Sequence, residues 1–136
     1  MAHNATMAST KSRLVSRWLV GRRQSFVYAF RGLAVLFKEP NARIHCVATV
    51  LVVAASLLLQ LPRVDWFLII AAIVGVWVAE ALNTALEALA NAAVPDLHPL
   101  VRNAKDVAAG AVLLAAMGAV VIGAMVFIPR IQQLLN

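Results

Sequence analysis

The sequence predicts an all-α membrane protein, an N-terminal amphipathic surface helix followed by three transmembrane helices, and three observations carry that expectation. The 136 residues are 62% hydrophobic and only 13% charged, with a mean hydropathy of +0.85. A soluble domain of this size would have too little polar surface to clothe such a core. The apolar residues are also gathered into runs of bilayer-spanning length. The charge, finally, is lopsided: Lys11, Arg13, Arg17, Arg22, Arg23, Arg31, Lys38 and Arg43 all precede the first long apolar run. A net charge of +6 suits either nucleic acid or anionic headgroups. The apolar runs decide for the membrane surface and against nucleic acid.

Residues 1–24 form a flexible basic segment, small and polar at its start, and residues 25–136 form a three-span membrane domain. Across residues 12–31, Leu14, Trp18, Leu19, Phe26 and Phe30 alternate with arginines, the pattern of a helix lying on the membrane surface. No long apolar stretch with a cleavage site precedes residue 43, so a secretory signal is not expected. Span one runs from Ile44 to Leu61, and Pro62-Arg63-Val64-Asp65 reads as a short polar turn. Trp66 opens span two as an interfacial anchor, and the helical pattern continues to about Val94. At 1.5 Å per residue those residues reach roughly 43 Å, more than the ~30 Å hydrocarbon core, so the last turns must emerge from the lipid. Pro95 and Pro99 stop the helix, a linker with Arg102, Lys105 and Asp106 follows, and span three runs from Val107 to Ile128. Cys46 is the only cysteine, which excludes an intrachain disulfide, and it reads as a small buried apolar residue. The short-loop Lys/Arg distribution puts the N-terminus and the second loop in the cytoplasm and the C-terminus outside. The expected location is the bacterial inner (cytoplasmic) membrane.

Span two is the anomaly. Its segment AEALNTALEALANAAV, residues 79–94, carries charge where an anchor needs none. With Glu80 as the reference at about 100° per residue, Asn83 falls about 60° to one side, Thr84 about 40° to the other, and Glu87 and Asn91 within about 20°. The five share one stripe, with Glu80 and Glu87 about 10.5 Å apart along the axis. Inserting a carboxylate at mid-membrane costs about 2.5–3.5 kcal/mol or more, so two on one face need partners or water. The surrounding alanines let neighbouring helices approach closely.

The other titratable residues gather at the same level: Glu39 just before span one, and His98, Lys105 and Asp106 around the second loop. Carboxylates, a lysine and a basic segment fit a polyanion held through a divalent cation. Mg²⁺ takes one or two carboxylates plus substrate phosphates, a role open to Glu39 and Glu87, with Lys105 on the phosphates. Glu80, deeper, is placed to accept a proton from a substrate hydroxyl. Plainer roles exist for each: interhelical pairing for Glu80, Asn83 and Glu87, a headgroup-level position for Glu39, a loop histidine between prolines for His98, and topology-setting charge for Lys105 and Asp106. There is no GxxxxGK[ST] loop, Gly-rich kinase loop, HExxH or CxxC pair, so any ATP is bound without a standard phosphate cradle.

Four segments, SFVYAFRGL (25–33), KEPNARIH (38–45), EALNTALEAL (80–89) and HPLVRNAKDVAAG (98–110), resemble the small bacterial integral-membrane diacylglycerol kinases, a family that includes the undecaprenol kinases. The resemblance covers about residues 24–128, and the HPL and RIH details are more similar to the undecaprenol kinase branch. It implies a homotrimer that transfers phosphate from Mg²⁺-bound ATP to a membrane lipid alcohol. Carried over by motif, Glu80 is the catalytic base, Glu39 and Glu87 the metal pair, and Asn83 a further active-site residue. Tyr28, Glu39, Glu87, Asp96, His98, Lys105 and Asp106 are the implied ATP contacts. Two departures stand out: Asn91 replaces a usual Asp, and the spacing from Gly32 to Glu39 is one residue short. The competing readings are a small transporter or channel subunit whose polar stripe lines an ion path, and a non-catalytic membrane partner.

Overall fold

The computed structural model describes residues 23–93 and 98–135. Most of the basic N-terminal segment and Asp96 lie outside them. Among the described residues there are four helices and no strand: α1 (residues 23–36), α2 (Pro40–Leu58), α3 (Arg63–Ala93) and α4 (Pro99–Leu135). The last three are long and apolar enough to cross a membrane. On α1, the aromatic side chains of Phe26, Tyr28 and Phe30 are all exposed, and the Arg31 guanidinium lies 6.0 Å from the Tyr28 ring centroid.

The boundaries differ from the sequence expectation at both ends of α2 and α4 and at the start of α3, and α2 ends at Leu58 instead of Leu61. Helix α2 starts at Pro40, four residues before Ile44, because Pro at the first helical position needs no N–H partner and has its φ preset. Arg63, Val64 and Asp65 form the first turn of α3 and not a loop, with Asp65 favourably placed at the helix N-terminus. Arg102, Lys105 and Asp106 lie on α4 and not in a linker, and α4 continues through Pro129 to Leu135. Apolarity marks where the lipid begins, whereas the backbone stays helical beyond it as long as nothing breaks the hydrogen-bond ladder.

The α2–α3 connection is correspondingly tight. The Leu61 N–H donates to the Ser56 carbonyl and the Gln60 N–H to the Leu57 carbonyl, with Gln60 at φ 50°. This is a Schellman ending with glutamine in the left-handed position usually given to glycine. Leu61 then turns inward and packs with Ile69 of α3 and Val126 of α4, surrounded by Val52, Trp66, Ile73, Ile122 and Phe127. Arg130 of α4 seals the corner: its Nε donates to the Leu59 carbonyl at 2.8 Å and its Nη2 to the Gln60 carbonyl at 3.4 Å.

Most large apolar side chains of the three long helices are exposed, Leu58 and Phe67 among them. Lipid, rather than a protein core, is the solvent such helices are built for. Cys46 follows that rule: it is exposed on α2 and not buried as expected. In a bilayer a small apolar side chain gains nothing from turning inward. The polar Ser56 does the opposite. It is fully buried and donates to the Val52 carbonyl one turn back at 2.7 Å, which satisfies its hydroxyl within its own helix.

Candidate active site

The helices run antiparallel, so the end of α3 meets the starts of α2 and α4. The Glu39–Pro40 start of α2, the Glu80–Asn91 half of α3 and the Lys105 turn of α4 therefore share one end of the bundle. If Trp66 marks the opposite interface, Glu80 lies about 21 Å from it along α3 and Glu87 about 31 Å, at the far edge of the hydrocarbon.

The stripe on α3 is real and graded. Glu80 is 1% exposed and Asn83 5%. Thr84 and Glu87 are half-buried and Asn91 is exposed. The Asn83 amide Nδ2 donates to Glu87 Oε1 at 3.3 Å one turn on. Lys105 Nζ donates to Asn91 Oδ1 at 3.2 Å, which ties α4 to the outer end of the stripe. Among the described residues two buried acceptors receive no hydrogen bond: Glu80 Oε2 and Asn83 Oδ1. Leaving a buried polar atom unpaired costs about 1–3 kcal/mol, more for a charge. Such atoms on adjacent turns of one membrane helix make this stretch the candidate site.

His45 faces Glu80 from α2, with Nε2 3.9 Å from Glu80 Oε2. Its ring packs edge-on against Trp77 at 6.3 Å between centroids. Trp77 is itself fixed by a 3.0 Å hydrogen bond from its Nε1 to Thr49 Oγ1 and by an edge contact with Phe37 at 5.4 Å. Sequence reasoning left His45 out of the site. The signal was there in the spacing, since Glu39, Ala42, His45 and Thr49 recur every three or four residues along one face of α2. The ring also borders an apolar groove of about 300 Å³ between the three long helices, lined by Thr49, Val52, Ile73, Val76, Ala119 and Phe127 among others.

The remaining candidates divide by position. Glu39 caps α2 without a side-chain capping bond and is half-buried, so its carboxylate is not committed to the helix end. Glu39, Glu87 and His45 are all within electrostatic reach of Glu80. Lys105 is half-buried and Asp106 exposed on the first turns of α4. His98 has a structural task. Its Nδ1 accepts from the Leu100 backbone N–H at 3.2 Å, and Pro99 follows it, the arrangement of an N-cap at the start of α4. Tyr28 belongs to α1, and Asp96 is outside the described residues.

The prokaryotic diacylglycerol kinase family model matches residues 27–127. The chain belongs to the prokaryotic diacylglycerol kinase family. It is accordingly a lipid kinase by family and, from its three apolar helices, a membrane protein. An undecaprenol kinase of Bacillus subtilis is 36% identical over 109 residues, 79% of this chain and 89% of that protein. A diacylglycerol kinase of Synechocystis is 39% identical over 113 residues, 82% of this chain and 65% of its relative. The diacylglycerol kinase of Escherichia coli is 33% identical over 95 residues, 69% of this chain and 78% of the other. Family membership favours the lipid kinase reading over an ion path or a bare membrane partner.

Among the described residues no three His, Cys, Asp or Glu side chains converge as a metal cage. The chemistry of the donor set nevertheless suits Mg²⁺. That ion is held by one or two carboxylates with substrate phosphates and water completing its shell, and Glu39 and Glu87 are two such carboxylates at the mouth of the site.

Proposed function

We propose that the protein phosphorylates a membrane lipid alcohol, undecaprenol or a diacylglycerol, with ATP as phosphoryl donor, at the end of the bundle where α2, α3 and α4 bring Glu39, Glu80, Glu87 and Lys105 together. The observation that carries this reading is Glu80, a carboxylate 1% exposed on a membrane helix with Oε2 unpaired. A lipid hydroxyl arriving from within the bilayer meets a proton acceptor to which no group among the described residues donates a hydrogen bond. Asn83 holds Glu87 at the next turn, so the amide separates a deep carboxylate for the proton from a shallow one for the metal.

Glu39 and Glu87 would hold Mg²⁺, and the ion would supply charge neutralisation for the phosphate oxygens. Lys105 places a positive charge beside them at the water-facing end. Tyr28, Asp96, His98 and Asp106 complete the nucleotide contacts by family likeness. Phosphoryl transfer leaves little covalent work to the protein, and positioning and charge stabilisation supply most of the acceleration. The working unit is a homotrimer in the bacterial inner membrane, with the N-terminus and the α3–α4 connection cytoplasmic and the C-terminus outside. The exposed apolar faces of all three long helices leave ample surface for such contacts. Both lipid kinase names among the relatives are carried by proteins of comparable identity, so acceptor choice is an open variable that one assay resolves. The purified protein is given labelled ATP, Mg²⁺ and either undecaprenol or dioleoylglycerol in mixed micelles. Label should pass to at least one lipid and depend on Mg²⁺. No transfer to either lipid defeats the reading.

A further inference from the structure

The separation between His45 and Glu80 is itself informative. At 3.9 Å, Nε2 and Oε2 are too far apart for a hydrogen bond, whose heavy atoms lie about 2.7–3.2 Å apart. They are close enough that a single oxygen atom can sit about 2.8 Å from both. The atom facing that gap is the unpaired Glu80 Oε2. The imidazole that faces it does not swing freely: Trp77 lies against its edge, and Thr49 and Phe37 hold Trp77. The same imidazole borders the apolar groove between the three helices, so an apolar chain in the groove brings its polar end to this gap.

We propose that His45 and Glu80 form a two-point receptor for the acceptor hydroxyl, which makes His45 a second catalytic residue that touches the substrate. The His45 Nε2–H donates to the hydroxyl oxygen, and the hydroxyl O–H donates to Glu80 Oε2. These two bonds fix the direction of the oxygen lone pair that attacks. In the transfer step the O–H bond breaks and its proton goes to Glu80. The oxygen forms a bond to the γ-phosphorus, the bond from that phosphorus to the β-bridging oxygen breaks, and ADP leaves. The imidazole keeps its own proton throughout. This inference rests on the lipid kinase reading of Glu80 and adds an acceptor-binding donor to it.

The test uses the full-length protein in mixed micelles, with undecaprenol and dioleoylglycerol as acceptors and each substrate varied in turn. His45→Phe keeps a ring against Trp77 and removes the donor. His45→Gln places an amide N–H at similar reach. For the better acceptor, kcat/KM should fall roughly ten- to a hundredfold in His45→Phe and return to within about threefold of the parent in His45→Gln, as loss and rescue of one substrate hydrogen bond require. The KM for ATP should stay constant in both. Equal activity of the two variants, at any level, overturns the proposal, because a packing role needs the ring and not the donor. A parent protein that phosphorylates neither lipid takes the kinase reading down with it, an outcome distinct from an active parent with matched variants. Should both His45 variants fail to fold, Thr49→Val loosens the Trp77 brace from outside the gap. A rise of about threefold or more in lipid KM at constant ATP KM supports the receptor, and an unchanged lipid KM overturns it.

Discussion

The two ends of the helical bundle are built on opposite terms. At the α2–α3 corner the chain is closed off: Leu61, Ile69 and Val126 form a small apolar core, the Ala55, Ser56 and Leu57 carbonyls receive backbone N–H groups, and Arg130 covers Leu59 and Gln60. At the other end, Glu80 and Asn83 are buried with acceptor atoms left open, and Glu80 has neighbouring carboxylates at Glu39 and Glu87. One end spends its polar groups on holding the chain together, while the other leaves Glu80 Oε2 and Asn83 Oδ1 without a donor among the described residues. In a membrane helix, where an unsatisfied carboxylate is especially costly, that contrast is what supports the proposal of Glu80 and its neighbours as the working end.

The sharpest way to break the comparison is Glu80→Gln. It keeps the shape of the side chain and removes the proton acceptor, so lipid phosphorylation should drop by about 10²–10⁴-fold. The helix content and melting temperature in detergent should hold or rise, because a neutral amide is cheaper to bury than a carboxylate. Turnover near the parent level with a normal fold would exclude Glu80 as the base. The next effect in size is expected at the shallow carboxylates. Glu39→Gln and Glu87→Gln should each raise the Mg²⁺ concentration needed for half-maximal activity by roughly tenfold or more, as the loss of one of two protein ligands implies. Titrating Mg²⁺ at fixed ATP is the measurement. An unchanged midpoint in either variant removes that residue from the metal pair.

How much of this was legible in the sequence depends on which physics wrote it. The three spans and the stripe follow from apolarity and the helical repeat, so Glu80, Asn83, Thr84 and Glu87 fell on one face as their angles require. Burial along the stripe tracks depth, from buried Glu80 to exposed Asn91. Helix ends were less legible. Arg63, Asp65, Arg102 and Lys105 looked like loop residues because charge resists lipid, yet charge does not break a helix, and these positions lie on α3 and α4. Cys46 was misjudged because the habit of burying cysteine comes from proteins in water. His45 escaped notice because its partner is on another helix. The spacing places His45 on the Glu39 face of α2, but that α2 meets α3 at the level of Glu80 resides only in the tertiary packing. The cap made by His98 was equally hidden behind a motif that suggested nucleotide contact.

The stable end makes its own, smaller prediction. Arg130→Ala strips the Leu59 and Gln60 carbonyls of their charged donor. The loss should be about 1–3 kcal/mol, reduced to the extent that interfacial water reaches those oxygens. Thermal unfolding in detergent should register it as a lowered midpoint, while kcat and both KM values stay near the parent, because no site residue is touched. A large loss of turnover at a temperature well below that midpoint would mean the two ends are coupled, and the division drawn between them would fail.

The smallest effect should come from Gln60, which carries a side chain in left-handed backbone, φ 50°. For a residue other than glycine that conformation costs about 1–2 kcal/mol. The Schellman hydrogen bonds to Ser56 and Leu57 use only backbone atoms, and Arg130 meets the Gln60 carbonyl and not its side chain. Gln60→Gly therefore keeps every contact of the corner and relieves the strain. Against this stands the greater freedom of glycine in the unfolded chain, about 0.4–1 kcal/mol. The balance predicts a stabilisation of about 0.5–1 kcal/mol, seen as a modestly raised unfolding midpoint with unaltered kinetics. A lowered midpoint would show that the corner depends on the glutamine side chain itself, and the strain at this satisfied end would then have a purpose of its own.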